Sequence, residues 1–225
     1  MQVQELMTRE VVTVGPATSA KYAAELMAER GFAAVPVVDE NDQLVGIVAE
    51  ADVLRDRLPQ DPRLHARRDE QQAHAAPSVL VHGVMTAQVR TVDAAADIAD
   101  VARLFVDERL RSVPVLQHGR LAGIVSRRDL LRVVGRPDAE IRTDLLRLVE
   151  GYTGDVGAWD VTVTEGVATL RRTRGMQQVT ADVEEQALRE LAATVGGVVQ
   201  IRVLADPVST ERPADASTRA GKSTT

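Results

Sequence analysis

A chain of 225 residues is long for a single hydrophobic core and is expected to hold one or two domains. Its hydrophobic fraction, 44%, suits a globular chain, and 33 acidic against 27 basic residues leave a net charge of −6 that opposes a nonspecific grip on nucleic-acid backbones or anionic lipid. Cysteine is absent, which excludes disulfides and thiolate chemistry, and the five aromatic residues (Tyr22, Phe32, Phe105, Tyr152, Trp159) are too scattered for a base-stacking platform.

The first half is an internal repeat. Residues 6 to 54 and 84 to 131 align in order at a shift of about 78, with one residue lost in a turn. Met7-Thr8 matches Met85-Thr86, Thr13-Val14 matches Thr91-Val92, Val35-Pro36-Val37 matches Val113-Pro114-Val115, Gly46-Ile47-Val48 matches Gly123-Ile124-Val125, and Asp52 matches Asp129. In each copy a short extended Thr-Val segment precedes a helix that starts near Thr18 or Ser19, and near Asp97, residue types that cap orphan N–H groups. Two apolar strand runs follow, Ala34 to Val38 and Leu44 to Val48, then Val113 to Leu116 and Leu121 to Val125, with a turn at His118-Gly119 in the second copy. A second helix is expected from about Glu50 and from about Arg127. The order strand, helix, strand, strand, helix makes each copy an α+β unit that would be marginal alone and gains a shared core as a pair.

Between the copies, 58–79 reads as a solvated linker, or as a phosphate- or partner-gripping loop using Arg63, Arg67 and Arg68. After Pro137 the pattern changes. Asp138 is placed to cap a helix carrying Ile141, Leu145 and Leu148 on one face. Trp159 to Leu170 alternates around a two-residue Glu165-Gly166 turn that would pair Val163 with Ala168 and Val161 with Leu170. A helix from about Gln178 to Ala193 aligns Val179, Val183, Ala187 and Leu191, Gly196-Gly197 ends it, and Val198 to Leu204 reads as a closing strand. Trp159 is expected in the core. The segment 206–225 is polar and without periodicity, the signature of a disordered tail.

On Val84-Met85-Thr86, Ser112-Val113-Pro114-Val115 and Gly123-Ile124-Val125-Ser126-Arg127-Arg128-Asp129, the paired units resemble a CBS domain pair, or Bateman module. The resemblance covers residues 1–57 and 80–135. It implies binding of an adenosine-containing regulatory ligand (AMP, ADP, ATP or S-adenosylmethionine), no required cofactor, homodimerisation, and control of a partner or attached domain. It assigns the Gly-x-x-Ser/Thr-x-x-Asp stretch to the ligand, and the chemistry agrees. The Asp129 carboxylate can accept both ribose hydroxyls, while Ser126, at a strand-to-helix turn, offers a hydroxyl beside free N–H groups to a phosphate. Arg127 and Arg128 add local positive charge, Gly123 permits close backbone approach, and Val113-Pro114 with Thr91-Val92 are expected to form an adenine slot, necessarily aliphatic given so few aromatics. The same Ser-x-x-Asp spacing is also a capping box, with Asp129 reaching back to the Ser126 N–H. Both roles stay open here, for different atoms.

Copy one departs from the pattern: Ala49 replaces the hydroxyl, and Glu50 stands where copy two has Arg127. One competent site built on copy two is therefore expected, with Asp52 marking a weaker or nucleoside-only site. Residues 138–205 resemble a BON domain through the GVATL and GGVVQIRV segments, although Arg171-Arg172 follow Leu170 where such domains usually carry glycine. That resemblance implies phospholipid or protein attachment, with Arg171, Arg172 and Arg174 facing an anionic surface, or else a charged edge that discourages strand pairing.

The fold class is thus α+β: tandem CBS repeats forming one module, then a small αββαβ unit. The expected function is that of a nucleotide-sensing regulator with an unidentified protein partner. The rival is a non-catalytic adaptor that associates with membrane or phospholipid and carries a degenerate nucleotide site. No catalytic constellation is evident, and His65, His74, His82 and His118 have no metal-ligand spacing, so neither an enzyme nor a metalloprotein is expected. Without an 18-residue apolar run or a basic-then-apolar start at Met1 to Thr8, a cytoplasmic location is expected, and no nucleic-acid partner.

Overall fold

The computed structural model describes residues 1–55, 57, 78–174 and 180–204. Nearly all of the 58–79 linker, with Arg63, Arg67 and Arg68, and the whole 206–225 tail lie outside the described residues. The chain divides into two units, Met1–Gly135 and Arg136–Thr225. No described helix is long and apolar enough to cross a membrane.

In the first unit, Ser19 caps α1 (Ala20–Arg30) by accepting the N–H groups of Lys21 and Tyr22. Gly31, at φ 65°, closes the helix in the left-handed conformation that glycine adopts without strain. Strands β1 (Ala34–Val38) and β2 (Leu44–Ala49) pair antiparallel, and α2 (Glu50–Leu54) follows. Copy two repeats the plan. A short β3 (Val92–Asp93) precedes α3 (Ile98–Asp107), capped by Asp97 through the N–H of Ala99 at 2.9 Å, then come β4 (Ser112–Gln117), β5 (Arg120–Ser126) and α4 (Arg127–Val134). β3 lies parallel to β4, and β4 antiparallel to β5. His118 and Gly119, at φ 52° and 76°, make the two-residue turn of that hairpin. The first copy has only a bridge, Val14 beside Val37, where the second has β3.

Each copy finishes its core with a piece of the other. The core around α3, β4 and β5 contains Val3 and Met7, while the core around α1, β1 and β2 contains Val81, with Val84 and Met85 packed against it. Two reciprocal backbone exchanges hold these crossed segments. Thr8 and Ile124 trade N–H···O bonds at 2.9 and 3.0 Å, and so do Ile47 and Thr86 at 3.0 and 2.9 Å. Fully burying a valine or methionine supplies about 1.5–3 kcal/mol. Neither copy collects that contribution from its own crossing segment, so each core is completed by the other copy.

The second unit runs α5 (Asp138–Thr153), β6 (Trp159–Thr164), β7 (Val167–Arg172), α6 (Ala181–Ala192) and β8 (Gln200–Leu204). The sheet order is β6-β7-β8, antiparallel then parallel. The expected hairpin register is present, with Val163 opposite Ala168 and Val161 opposite Leu170 around Glu165 and Gly166, at φ 51° and 72°. Trp159 is in the core.

Three expectations for this unit need correction. Asp138 does not cap its own helix, whose N-cap is Pro137. Its carboxylate accepts the N–H groups of Glu165 and Gly166 at 2.8 and 3.0 Å, so it caps the hairpin turn instead. The α5 face stands as expected, with Ile141 and Leu145 buried and Leu148 packed partly buried against the same core, which Val149 also joins. In α6 the inward line is Glu184, Leu188 and Ala192, while Val183 is 56% exposed. Glu184 goes inside because Arg172 is there: the two form a buried ion pair, and the Arg172 guanidinium lies 4.9 Å from the centre of the Trp159 ring. Arg172 therefore faces no external surface, unlike the exposed Arg171 and Arg174.

Candidate functional site

Two cavities in the first unit are related by the repeat. The first, of about 410 Å³, draws one wall from copy one: Thr8, Glu10, Val11 and Val12, the α1–β1 turn from Arg30 to Ala34, and Pro36. Copy two supplies the other wall through Arg111, Ser112, Ile124, the run Ser126 to Asp129, and Arg132. The second cavity, of about 570 Å³, is the same arrangement with the copies exchanged. Thr86, Gln88, Val89 and Arg90, and the stretch Glu108 to Ser112, now face Ala49, Glu50, Ala51 and Asp52.

The expected site residues divide accordingly. Ser126, Arg127, Arg128 and Asp129 line the first cavity, and Asp52 lines the second. Thr91, Val92, Val113 and Pro114 line neither. Val113 is buried in the core of copy two, and the apolar wall facing Asp129 comes from copy one, where Pro36 aligns with Pro114. The wall is not wholly aliphatic, because Phe32 belongs to it along with Val11 and Val12, and Ile124 of copy two completes the apolar lining. Gly123 admits the Met7-Thr8 segment of copy one rather than a ligand. A Cβ there would meet Met7 Sδ at 2.5 Å and Thr8 O at 3.0 Å.

At the turn into α4, Asp129 is only 9% exposed, and its Oδ2 accepts both the N–H of Ser126 at 2.8 Å and its hydroxyl at 2.6 Å. Arg132 approaches the other carboxylate oxygen, Oδ1, at 3.4 Å. The capping role is thus realised through one oxygen, and the second meets Arg132, itself part of the cavity lining. The N–H of Arg127 donates to Arg111 O, so the first-turn donors that helix geometry leaves unpaired are those of Arg128 and Asp129. Copy one keeps the cap alone: Ala49 N–H donates to Asp52 Oδ2 at 3.0 Å, with no hydroxyl beside it.

The two cavities differ most in charge. Around the first stand the guanidinium groups of Arg30, Arg111, Arg127, Arg128 and Arg132 against the carboxylates of Glu10 and Asp129. Arg127 is committed to the backbone, donating to Leu110 O at 2.6 Å and Phe105 O at 3.1 Å. The second cavity balances Arg90, Arg109 and Arg111 with Glu50, Asp52 and Glu108. There Arg90 and Glu108 form an ion pair at the positions of Val12 and Arg30, and the hydrogen bond from Arg90 holds the Glu108 carboxyl below its ordinary range. Ser112 borders both cavities, and its buried hydroxyl has no hydrogen-bond partner among the described residues.

Sequence reasoning found the residues of one short stretch, Ser126 to Asp129, and missed Arg30, Phe32, Pro36, Arg111 and Ser112. The alignment of Pro36 with Pro114 was available as a signal. The packing of one copy against the other, which sets Pro36 in the same cavity as the far copy's aspartate, was not.

A family model for the CBS domain matches residues 3–58 and 81–136. Uncharacterized protein MJ1404 of Methanocaldococcus jannaschii is 30% identical over 133 residues, 59% of this chain, and the chain spans 32% of that protein's length. CBSX2 of Arabidopsis thaliana, solved in complex with AMP, is 29% identical, with 58% of this chain and 93% of that one covered and a TM-score of 0.47. The CBS domain pair of protein MJ0100, solved in complex with 5′-methylthioadenosine and S-adenosyl-L-methionine, is 22% identical, with 60% and 96% covered and a TM-score of 0.48. Through the tandem pair at 3–58 and 81–136, this chain belongs to the CBS domain family.

Proposed function

We propose that the chain is a non-catalytic regulatory protein that binds a phosphate-bearing adenosine ligand in the first cavity. The observation that carries this reading is the meeting, in one cavity of about 410 Å³, of a nearly buried ribose-type acceptor, Asp129, with an apolar wall and an excess of guanidinium groups. Cavities of this size take ligands of nucleotide size. Asp129 Oδ1 accepts a ribose hydroxyl, Phe32, Pro36 and Ile124 bracket the base, and Arg128, Arg132 and the α4 first turn receive phosphate. The relative CBSX2, 29% identical over 134 residues, was solved with AMP, which supports an adenosine ligand. The cationic lining favours AMP, ADP or ATP over S-adenosylmethionine, whose sulfonium it repels.

In this reading residues 138–205 are a BON-like output domain, supported by the element order αββαβ, and the ligand acts by favouring one state of a cytoplasmic homodimer over another. Burial of Arg172 removes one of the cations that a lipid-binding face would use, which favours a protein partner.

Isothermal titration of the full chain with AMP, ADP, ATP and S-adenosylmethionine tests the site. Phosphate-bearing ligands should bind, Asp129→Asn should weaken them at least about tenfold, as loss of a charged acceptor implies, and Asp52→Ala should change little. Equal losses in both variants, or tighter binding of S-adenosylmethionine, would overturn the reading.

A further inference from the structure

Ala33, Ala34, Arg111 and Ser112 border both cavities, and Arg111 is the charged member of that group. Its backbone is pinned, because its carbonyl accepts the N–H of Arg127 at 3.0 Å at the start of α4. Its side chain is turned to the other copy, where Nη1 donates to Glu50 Oε2 at 2.5 Å. Glu50 borders only the second cavity. The two side chains are 68% and 43% exposed, so water screens the pair and it is easily exchanged. The arrangement has no mirror image. Copy one carries Ala33 at the position of Arg111, and copy two carries Arg127 at the position of Glu50.

Resting on the first cavity as a nucleotide site, we propose that Arg111 joins Arg128 and Arg132 at the ligand's phosphate and that Glu50 is its resident competitor. When an anionic ligand enters the first cavity, Arg111 exchanges the Glu50 carboxylate for phosphate oxygens, with which a guanidinium makes paired hydrogen bonds. The ligand must displace Glu50 to obtain that contact. A copy-one side chain outside the first cavity therefore lowers the affinity of the site built on copy two, and it acts only on ligands that carry phosphate.

Calorimetric titration with AMP, and separately with adenosine, decides the matter for the unsubstituted chain, Glu50→Gln, Arg111→Ala and the double variant. Glu50→Gln should tighten AMP about two- to fivefold, the factor an exposed ion pair supplies. Arg111→Ala should weaken AMP by roughly tenfold, and in that background Glu50→Gln should have no effect, because the competitor has lost its target. Adenosine affinity should be the same in all four proteins, which shows that the fold is intact and locates the effect at the phosphate. The proposal is overturned if Glu50→Gln leaves AMP affinity unchanged or lowers it while adenosine still binds, or if it shifts both ligands equally. If the unsubstituted chain binds neither ligand, the reading of the cavity itself fails, and this proposal with it.

Discussion

Met7 occupies the space that a side chain on Gly123 would need, its Sδ lying 2.5 Å from where a Cβ would stand. The equivalent pair is Met85 over Gly46, at the same 2.5 Å. The glycine of each strand β2 and β5 is therefore the socket for a methionine of the other copy, and the paired module closes on these two contacts.

The sockets differ in one respect, which yields a graded outcome. At Gly123 the obstruction includes the backbone oxygen of Thr8 at 3.0 Å, whereas at Gly46 the three nearest atoms all belong to the Met85 side chain, at 2.5 to 3.3 Å. A flexible methionine side chain moves more readily than the backbone of Thr8, which is held by two hydrogen bonds to Ile124. Gly123→Ala should destabilise the first unit by about 1–3 kcal/mol in urea unfolding followed by far-ultraviolet circular dichroism, and Gly46→Ala should cost less. Equal costs would show that the carbonyl of Thr8 gives way.

Asp138 ties the first residue of α5 to the tip of the β6–β7 hairpin through two N–H···O bonds, to Glu165 and Gly166. Asp138→Ala leaves both turn donors without that acceptor and should cost about 1–3 kcal/mol. Trp159, the single tryptophan of the chain, lies in the core of this unit and reports its unfolding by fluorescence. Glu165→Asn should raise stability by a few tenths of a kcal/mol or more, because asparagine tolerates the positive φ of this turn better than glutamate. A destabilised Glu165→Asn variant would contradict the turn geometry.

The buried pair of Arg172 and Glu184 leaves three polar atoms, Trp159 Nε1, Arg172 Nε and Glu184 Oε2, without hydrogen-bond partners among the described residues. Such a pair is expensive to break and cheap to replace. Glu184→Ala strands the guanidinium in the core and should cost about 3–5 kcal/mol, while the combination Arg172→Met with Glu184→Leu should fall within about 1–2 kcal/mol of the unsubstituted protein. Denaturant midpoints read from Trp159 fluorescence measure both. A loss below about 1 kcal/mol for Glu184→Ala would mean that water reaches the pair.

Wherever the deciding interactions lie within a few residues, the amino-acid sequence was sufficient. The Ser19 and Asp97 caps, the His118-Gly119 and Glu165-Gly166 turns, the hairpin register and the Ser126–Asp129 contact all follow from local spacing and side-chain chemistry. The repeat itself, read as self-similarity, yielded two copies of one α+β unit. Tertiary structure decided what depends on residues far apart in the chain. Val183, Ala187 and Leu191 are a more apolar line than Glu184, Leu188 and Ala192, yet the second line is buried, because Arg172 from β7 neutralises the carboxylate that would otherwise be held in water. Pro114 and Pro36 are interchangeable in sequence, yet it is Pro36 that faces Asp129, because the segments before the strands cross between the copies to complete each other's cores. Composition limited the number of aromatic residues but could not say where they go, and the crossing sets one of them, Phe32, in the wall of the cavity.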